Sequence, residues 1–456
     1  MRFYAIIKVR FLSYLAFSFK PMWTLKNYIT ERLVKLLDIK CIQNDPTSMT
    51  KKMADKGVFI DFAELLKKVE QKKSIKMEND TLRSRRKTLS KKICKEMKSG
   101  NPIVDLQDEV RFVNEKLKSN ELVINELDHF INTILLDLPN PPADGVAPGG
   151  KENNEVIKIH GIKPEFNFIP KSHIELAESL DLIDYKRGVK LSGSGYWVYT
   201  RIGAMLEWAL LNYFIEAHLA DGYEMLLLPH ILNQECGFVA GQFPKFYDEV
   251  YYLDDSKEKF ILPTAETALV NLHRDEILDE EDLPRRYFAF TPCYRKEAGS
   301  SRAEERGMIR GHQFNKVELV QYAHPEHSMD SFEEMLAKAE KLVADLGLHY
   351  RVSKLAAEDC SWAMATTFDV EVWIPSMGIY KEVSSVSNAF DYQARRGNVR
   401  FKDSTTGKTR FVHTLNASGL ATSRIFPAIL EQFQQKDGSI KVPDVLKKWL
   451  PLDFIK

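Results

Sequence analysis

Cysteine is scarce in this chain, and the few cysteines are dispersed. The 456 residues include five, at positions 41, 94, 236, 293 and 360, and no two of them form a Cys-x-x-Cys pair. This spacing argues against a zinc knuckle and favours a reducing compartment. The chain also has no net charge, because 64 basic residues balance 64 acidic ones. A nucleic-acid partner therefore has to be inferred from local charge asymmetry and not from net charge.

Acidic residues are absent from the first 30 positions, which carry several basic residues and a short apolar run at 11–19. That run is too short to span a bilayer. Three interpretations stay open for residues 1–32: an extension from an upstream start codon, a mitochondrial transit peptide, or a secretory signal without a clear cleavage pattern. We expect a cytoplasmic protein without membrane association, with mitochondria as the alternative. The length predicts two domains.

Two long helices are predicted after this extension. Apolar residues recur from Leu106 to Leu138 in steps of three and four, with one seven-residue step across the polar Asn120. This is the heptad pattern of a coiled coil. A looser apolar seam covers 62–97, and Ser99-Gly100-Asn101-Pro102 is a helix stop and turn. The two helices are therefore expected to form an antiparallel hairpin, the arm, within a domain at 33–138.

The two predicted helices differ in charge. Residues 67–98 carry thirteen Lys or Arg against four acids, a net +9, whereas residues 105–137 carry a net −5. Some of these charges are expected to pair across the hairpin, but the basic helix keeps an excess that suits a phosphate backbone. A solvated surface is the alternative. The candidate RNA-binding residues are Arg83, Arg85, Arg86, Lys87, Lys91 and Lys92.

A turn-rich linker, 139–165, precedes a second predicted domain at 166–456, whose central feature is the segment 294–318. Strand-like residues lead into Arg295 and Glu297, a Gly-, Ser- and charge-rich loop follows, and the chain returns through Phe314 to Glu318. Such a long hairpin loop is usually functional or disordered. Arginine suits a phosphate because its rigid fork donates two bonds at once. Glu297, predicted on the same sheet face, could accept a bond from an adenine amine; a solvated surface hairpin is the alternative.

Three shorter segments also carry candidate site residues. Thr264 and Glu266 could hold an ammonium group, although the short motif taken alone favours a helix N-terminus. Glu382 stands in a β-prone run, where a buried carboxylate needs a cation such as magnesium. The last segment, from Phe411 to Arg424, is predicted as a strand, a glycine turn and a helix that carries the arginine.

In this order the segments resemble the motifs of class II aminoacyl-tRNA synthetases in their seryl-tRNA synthetase form. The resemblance covers about residues 33–456, and its most specific parts are RKEAG from 295, RGHQFNKVE ending at Glu318, and the SNAFDYQARR run from 387. The helix at 201–219 with the strand at 222–229, ending at Pro229, is similar to the motif that forms the dimer interface in that family. The resemblance implies an α+β fold: an N-terminal antiparallel coiled-coil arm and a catalytic domain with an antiparallel β-sheet flanked by helices.

The implied function is a serine–tRNA ligase. It would join L-serine to ATP as seryl-adenylate and transfer serine to tRNA(Ser), with tRNA(Sec) as a further candidate substrate. A homodimer is expected, with ATP and Mg²⁺ as cofactors. By resemblance, Arg295, Glu382 and Arg424 are catalytic, and Glu382 and Ser385 hold Mg²⁺. ATP would contact Arg295, Lys296, Glu297, Phe314, Glu382, Val383, Ser384, Ser385 and Arg424. Serine would contact Thr264, Ala265, Glu266, Arg295, Glu318, Asn416 and Ser418.

The chain departs from the family pattern at two places. The central loop has Arg302-Ala303-Glu304-Glu305 where the family usually has Gly-Arg-Asp-Thr, and Ser361 and Thr366 stand where Gly and Lys are common. We expect altered detail and not an inactive site. Two alternatives remain at this point: a paralogue that loads a carrier protein, and a non-catalytic RNA-binding paralogue.

Overall fold

The computed structural model describes residues 36–297 and 307–456. The predicted extension at 1–32 and the altered loop at 302–305 lie outside these ranges. The described chain divides into two compact units. The first contains the described residues up to Lys51 together with Phe59–Leu138, and the second contains Lys52–Val58 and Pro139–Lys456.

The helices before residue 137 are α1 (Ile39–Asn44), α2 (Pro46–Asp55), α3 (Ala63–Lys98) and α4 (Val104–Leu136). The last two are the predicted antiparallel pair, and their packed seam includes Leu89, Val113 and Leu117. The polar residue that interrupts the heptads also lies in the seam: Asn120 Nδ2 donates to Asn79 Oδ1 at 2.8 Å, and both residues are buried. A buried amide pair of this kind fixes the register of a coiled coil.

The helices of the second unit are short except for three that pack on its sheet. They are α5 (His173–Ser179), α6 (Tyr185–Ser192), α7 (Arg201–Ala220), α8 (Gln234–Val239), α9 (Glu266–Leu269), α10 (Ser328–Asp345), α11 (Tyr392–Gly397) and α12 (Thr422–Gln432). The apolar faces of α7, α10 and α12 contribute Phe214, Phe332 and Phe426 to one buried core beneath the sheet. Within the described ranges, no helical stretch has the length and apolar character of a membrane span.

Eight strands of the described chain form the main sheet. Their bounds are β1 (Glu155–His160), β4 (Glu224–Met225), β9 (Arg285–Tyr294), β10 (Gln313–Ala323), β11 (Tyr350–Lys354), β12 (Thr366–Ile374), β13 (Ile379–Asn388) and β16 (His413–Ala421). Their order across the sheet is β1-β11-β12-β13-β16-β10-β9-β4. Every neighbouring pair is antiparallel except β4 and β9. The predicted α+β fold with an antiparallel catalytic sheet is confirmed.

Ten short strands complete the described part of the second unit. They are β2 (Ile183–Asp184), β3 (Val198–Tyr199), β5 (Ile231–Asn233), β6 (Tyr251–Tyr252), β7 (Lys259–Ile261), β8 (Ile277–Asp279), β14 (Arg400–Lys402), β15 (Thr409–Phe411), β17 (Ile440–Lys441) and β18 (Phe454–Ile455). They pair in small sheets of two or three strands, separate from the main one. The main sheet is therefore the element that positions the central residues of the site.

Two details of the predicted strands were wrong. The strand expected at 222–229 covers only Glu224–Met225; Leu226 still donates to Phe288 O at 2.9 Å, but the chain leaves the sheet before Pro229, which has no N–H to donate. The glycine turn expected before Arg424 does not exist, because β16 runs through Gly419. A Cβ at Gly419 would lie 2.2 Å from His218 Nε2, so this glycine serves close packing and not a turn.

Candidate active site

A cavity of about 1320 Å³ lies within the second unit, lined by the central strands and the loops between them. Most of the site residues predicted there line it. They are Thr264, Glu266, Arg295, Glu297, Phe314, Glu318, Glu382, Val383, Ser385, Asn416, Ser418 and Arg424. Residues that are distant in the sequence therefore share one space.

Arg295 follows the end of β9 and is held from both sides. Its main-chain N–H donates to His312 O at 2.9 Å, which closes the base of the hairpin, and its Nε donates to Pro263 O at 3.2 Å. Its Cζ lies 5.2 Å from the ring centroid of Phe314 on β10. The arrangement places a cation and an aromatic face side by side in the cavity wall.

Glu297 is not on the sheet, which corrects the expected shared face with Arg295. The strand ends at Tyr294, and Glu297 has φ +49°, in the left-handed region. Strand alternation does not extend beyond the last paired residue, so it cannot place this side chain. The Glu297 carboxylate forms an ion pair with Arg310. Both residues line the cavity, so the carboxylate still faces it.

Two carboxylates lie at the end of the cavity near β10 and β16. Glu318 is fully buried; it forms an ion pair with Lys316 and accepts from Asn416 Nδ2 at 3.1 Å. Glu266 accepts from Gln393 Nε2 at 2.9 Å. Burial, and secondly the charge of Glu318, raise the pKa of Glu266 to about 7. We call Glu266, Glu318 and Asn416 the acidic corner of the cavity.

Glu382 on β13 faces Arg424 in the first turn of α12. Arg424 Nη1 donates to the main-chain oxygen of Glu382 at 2.8 Å and to its Oε2 at 3.3 Å. The sequence predicted that a cation must meet this carboxylate, and in the described chain an arginine does so. The Arg424 Nε also donates to Ile309 O at 3.3 Å, so main-chain groups of the protein orient its guanidinium.

Three of the predicted site residues do not line the cavity. Ala265 is fully buried, and the buried Ser384 hydroxyl donates to Ser418 O at 2.6 Å. Neighbouring strand residues point to opposite faces, so Ser385 and not Ser384 points to the cavity side. A register shift between β12 and β13 brings Glu382 to the same face as Ser385. The Lys296 ammonium lies 5.8 Å from the ring centroids of Tyr251 and Tyr252.

Sequence reasoning missed a group of charged residues on β11 and β12. Asp369 and Glu371 line the cavity, and Glu371 accepts from Arg351 Nε at 2.7 Å. Burial, together with the nearby charge of Glu382, raises the pKa of Asp369 well above its usual range. Its Oδ1 is buried and finds no hydrogen-bond partner among the described residues. Two acids in an otherwise β-prone run were the available signal, since a buried carboxylate needs a partner.

The six candidate RNA-binding residues are all exposed on α3. Three of them have partners within the arm: Arg83 pairs with Asp80 at 3.3 Å, Arg85 pairs with Glu109, and Arg86 Nη1 donates to Asn114 Oδ1 at 3.2 Å. Pairing across the hairpin therefore occurs, as expected from the opposite charges of the two helices. Exposed ion pairs of this kind are weak, so a phosphate can compete for these arginines.

Comparison with known proteins agrees with this geometry. The tRNA synthetase class II core domain (G, H, P, S and T) matches residues 249–433, and the seryl-tRNA synthetase N-terminal domain matches residues 36–142. Fold and site together define a class II aminoacyl-tRNA synthetase. Serine–tRNA ligase 2 of Clostridium acetobutylicum is 56% identical over 423 residues, which cover 92% of this chain and 100% of that protein. The chain belongs to the seryl-tRNA synthetase family.

A second relative and a solved structure support the same assignment. The serine–tRNA ligase of Thermodesulfovibrio yellowstonii is 42% identical and is covered over its full length, with 92% of this chain aligned. The crystal structure of seryl-tRNA synthetase from Pyrococcus horikoshii complexed with ATP superposes with a TM-score of 0.88 at 32% identity, covering 92% of this chain and 99% of that one. The prediction of an ATP-dependent ligase that charges tRNA with serine is confirmed, and neither alternative is favoured.

Proposed function

We propose that the cavity carries out both steps of serylation with the residues described above. In the first step, the serine carboxylate attacks the α-phosphorus of ATP, and pyrophosphate leaves as seryl-adenylate forms. In the second, a hydroxyl of the terminal tRNA ribose attacks the adenylate carbonyl carbon, and AMP leaves. The observation that carries this proposal is the placement of Arg295 and Arg424 in one cavity with the acidic corner around Glu266 and Glu318. The end with the arginines suits phosphates, and the acidic corner suits an ammonium group.

The nucleotide end is assigned to the two arginines and their neighbours. Arg295 would neutralise charge on the α-phosphate, Phe314 would stack on adenine, and Glu297 would accept from the adenine amine. Arg424 would bind the terminal phosphate. The 5.2 Å between Arg295 and the Phe314 ring suits a nucleotide whose base and phosphates reach both residues. Positioning and charge neutralisation are the main contributions a protein makes to this kind of phosphoryl chemistry.

The serine end is assigned to the acidic corner. Glu266 would bind the ammonium group with Thr264 beside it, while Asn416, Ser418 and Glu318 would recognise the side-chain hydroxyl. Lys316 balances the charge of Glu318, which leaves Glu266 as the carboxylate to meet a cation. A site built to bond the hydroxyl rejects alanine, because a buried polar group would otherwise go unpaired.

Magnesium is proposed at Glu382 and Ser385. Among the described residues no group of three or more His, Cys, Asp or Glu side chains could hold a metal ion by itself. Mg²⁺ in nucleotide sites needs only one or two carboxylates and takes its remaining ligands from phosphates and water. The buried Oδ1 of Asp369 has no hydrogen-bond partner in the described chain and lies near Glu382, and two neighbouring carboxyl groups offer oxygen atoms of the kind that a divalent cation takes as ligands. When bound, the ion would draw charge from the phosphates of ATP.

The arm is proposed to bind tRNA(Ser) through the six exposed basic residues of α3. A net +9 along residues 67–98 supports this assignment. Charging of tRNA(Sec) stays a prediction. In this proposal, residues 33–138 bind tRNA, residues 139–165 form a linker, and residues 166–456 catalyse both steps.

A homodimer is proposed through α7. Its Met205, Trp208 and Leu219 are about half exposed, and Leu227 beyond β4 is 81% exposed. Large apolar side chains clustered on one face are typical of an interface.

The cytoplasm is the proposed compartment. Fusing residues 1–35 to a fluorescent protein would reveal import into mitochondria if the alternative is right.

The direct test of the proposed function is pyrophosphate exchange with each of the twenty amino acids in turn. Serine alone should support exchange, and purified tRNA(Ser) should then accept it. Exchange that requires a different amino acid, or exchange with serine but no transfer to any tRNA, would overturn the proposal. The second outcome would favour loading of a carrier protein.

A further inference from the structure

In one part of the cavity wall, consecutive main-chain carbonyl groups accept hydrogen bonds from a buried lysine and from the linker. The wall segment, residues 361–365, immediately precedes β12, and four of its side chains line the cavity. Lys56 lies 305 residues earlier in the chain. Its Nζ donates to Ser361 O at 2.8 Å, to Trp362 O at 3.3 Å and to Met364 O at 2.7 Å.

The linker that follows α4 binds the remaining carbonyl groups of the wall segment. Asn140 donates through its main-chain N–H to Trp362 O and through Nδ2 to Ala363 O, both at 2.9 Å. The N–H of Ala143 donates to Ala365 O at 2.8 Å. All five consecutive carbonyl groups therefore accept from residues that stand close in sequence to the two ends of the arm.

Lys56 is 5% exposed, so its side chain is almost fully removed from water. An ammonium group has three N–H donors, and these three carbonyl oxygens satisfy all of them. Burial lowers the pKa of Lys56 to about 7, opposed in part by Cys360. A buried ammonium is stable only while its acceptors stay in place, because an unpaired buried charge is costly. The wall segment is thereby fixed to one position.

The wall segment touches the serine end of the cavity. Gly241 faces it so closely that a Cβ there would lie 2.8 Å from Ala363 Cβ. The preceding residue, Ala240, accepts through its main-chain oxygen from Gln393 Nε2 at 3.0 Å, and the same amide nitrogen donates to Glu266 at 2.9 Å. A shift of the wall segment would therefore reach Glu266 through directly contacting groups.

We propose that Lys56 and Asn140 are positioning residues for serine: they fix the wall segment and, through Gly241 and Gln393, the carboxylate that meets the substrate ammonium group. This inference rests on the proposed function of the acidic corner. Because neither residue lines the cavity, their effect would be exerted on the wall and not on a substrate atom. The nucleotide end, at Phe314 and Arg424, would be left intact.

The test uses full-length Lys56→Met, which keeps the apolar stem but removes the three donors, and Asn140→Ala. Lys52→Ala is the matched control, since it removes a nearby lysine of α2 that pairs with Asp144 at 2.8 Å. Pyrophosphate exchange gives separate KM values for serine and ATP. We expect a serine KM raised roughly tenfold or more in both variants, with kcat and the ATP KM changed less than about twofold. Hydrogen exchange of the Ala143 amide should quicken as well.

An unchanged serine KM in either folded variant would overturn the proposal, and so would equal increases in the KM of both substrates, which indicate general disruption. If Lys56→Met does not fold, Asn140→Ala decides by the same criteria. If it also fails to fold, Asn140→Asp, which keeps the shape but replaces the Nδ2 donor, decides. Absence of serine-dependent exchange in the unmodified enzyme would instead contradict the proposed function itself.

Discussion

Arg424 binds Glu382 twice through one nitrogen, at the main-chain oxygen (2.8 Å) and at the carboxylate (3.3 Å). The first bond ties the guanidinium to the sheet, and the second neutralises the carboxylate. A phosphate bound here, as we propose, would replace the carboxylate and leave the main-chain bond in place. A donor held in place in this way needs little reorganisation when charge develops on the substrate.

Removing either cavity arginine should abolish adenylate formation. Arg295→Ala and Arg424→Ala are each expected to slow serine-dependent pyrophosphate exchange by about a hundredfold or more, because each variant would lack the proposed charge-assisted bond to phosphate. Circular dichroism should show an unchanged fold. Arg187→Ala is the control, since Arg187 is exposed and pairs locally with Asp184. Near-normal exchange in both cavity variants would contradict the assignment.

Serine use should depend on pH through Glu266. Its pKa of about 7 lies above that of an ordinary glutamic acid, so the carboxylate that we propose to bind the ammonium group forms between about pH 6 and 8. The kcat/KM for serine should therefore rise about tenfold over that range, while serine keeps its ammonium proton. Glu266→Gln should lower the value and remove this rise. A profile of the same shape in Glu266→Gln would exclude Glu266 as the titrating group.

The buried amide pair of the arm should matter for stability. Asn79→Ala leaves Asn120 with one partner fewer in the seam, and the free energy of unfolding of the arm is expected to fall by about 1–2 kcal/mol. Urea unfolding followed by far-ultraviolet circular dichroism measures this change. Asn125→Ala, at an exposed position of α4, is the control and should leave the stability unchanged. Equal stability of the two variants would show that the pair serves register alone.

Association should fail when the exposed face of α7 is charged. Trp208→Glu is expected to convert a dimer into a monomer, because the carboxylate would have to be buried at the interface. Sedimentation equilibrium measures the mass directly. Phe112→Glu places the same charge on an exposed aromatic position of α4 and should leave the dimer intact. A monomeric unmodified protein would remove the basis of this prediction.

Periodicity and motif order predicted much of this structure from sequence. The heptads of α4 and their interruption at Asn120 were visible because a coiled coil repeats locally. Strand bounds around Gly419 and Glu297 were less accurate, since close packing against His218 and a left-handed backbone leave no periodic signal. Asp369 shares the cavity with Glu382 only through the register of β12 with β13. The hydrogen bond from Lys56 to Ser361 joins residues 305 positions apart in the sequence, a separation over which local patterns carry no information.

Transfer to tRNA should depend on the basic stripe of α3, formed by the six candidate RNA-binding residues, more than serine activation does. Changing Arg83, Arg85, Arg86 and Lys87 to glutamine keeps helix propensity but removes four positive charges. Pyrophosphate exchange should be nearly unchanged, because every proposed serine and nucleotide contact lies beyond Leu262. Affinity for tRNA(Ser) should fall.

The salt dependence of binding separates an arginine that binds phosphate from one that is merely solvated. The slope of log affinity against log salt concentration should flatten by about one for each phosphate-binding residue that is replaced. Restoring Arg85 alone in the quadruple variant should recover about one unit of the slope, because its exposed ion pair with Glu109 is weak enough for a phosphate to replace. Arg111→Gln, Lys116→Gln and Lys118→Gln together form the control, because they remove basic residues from α4. Unchanged affinity and slope in the quadruple variant would mean that the stripe is only a solvated surface.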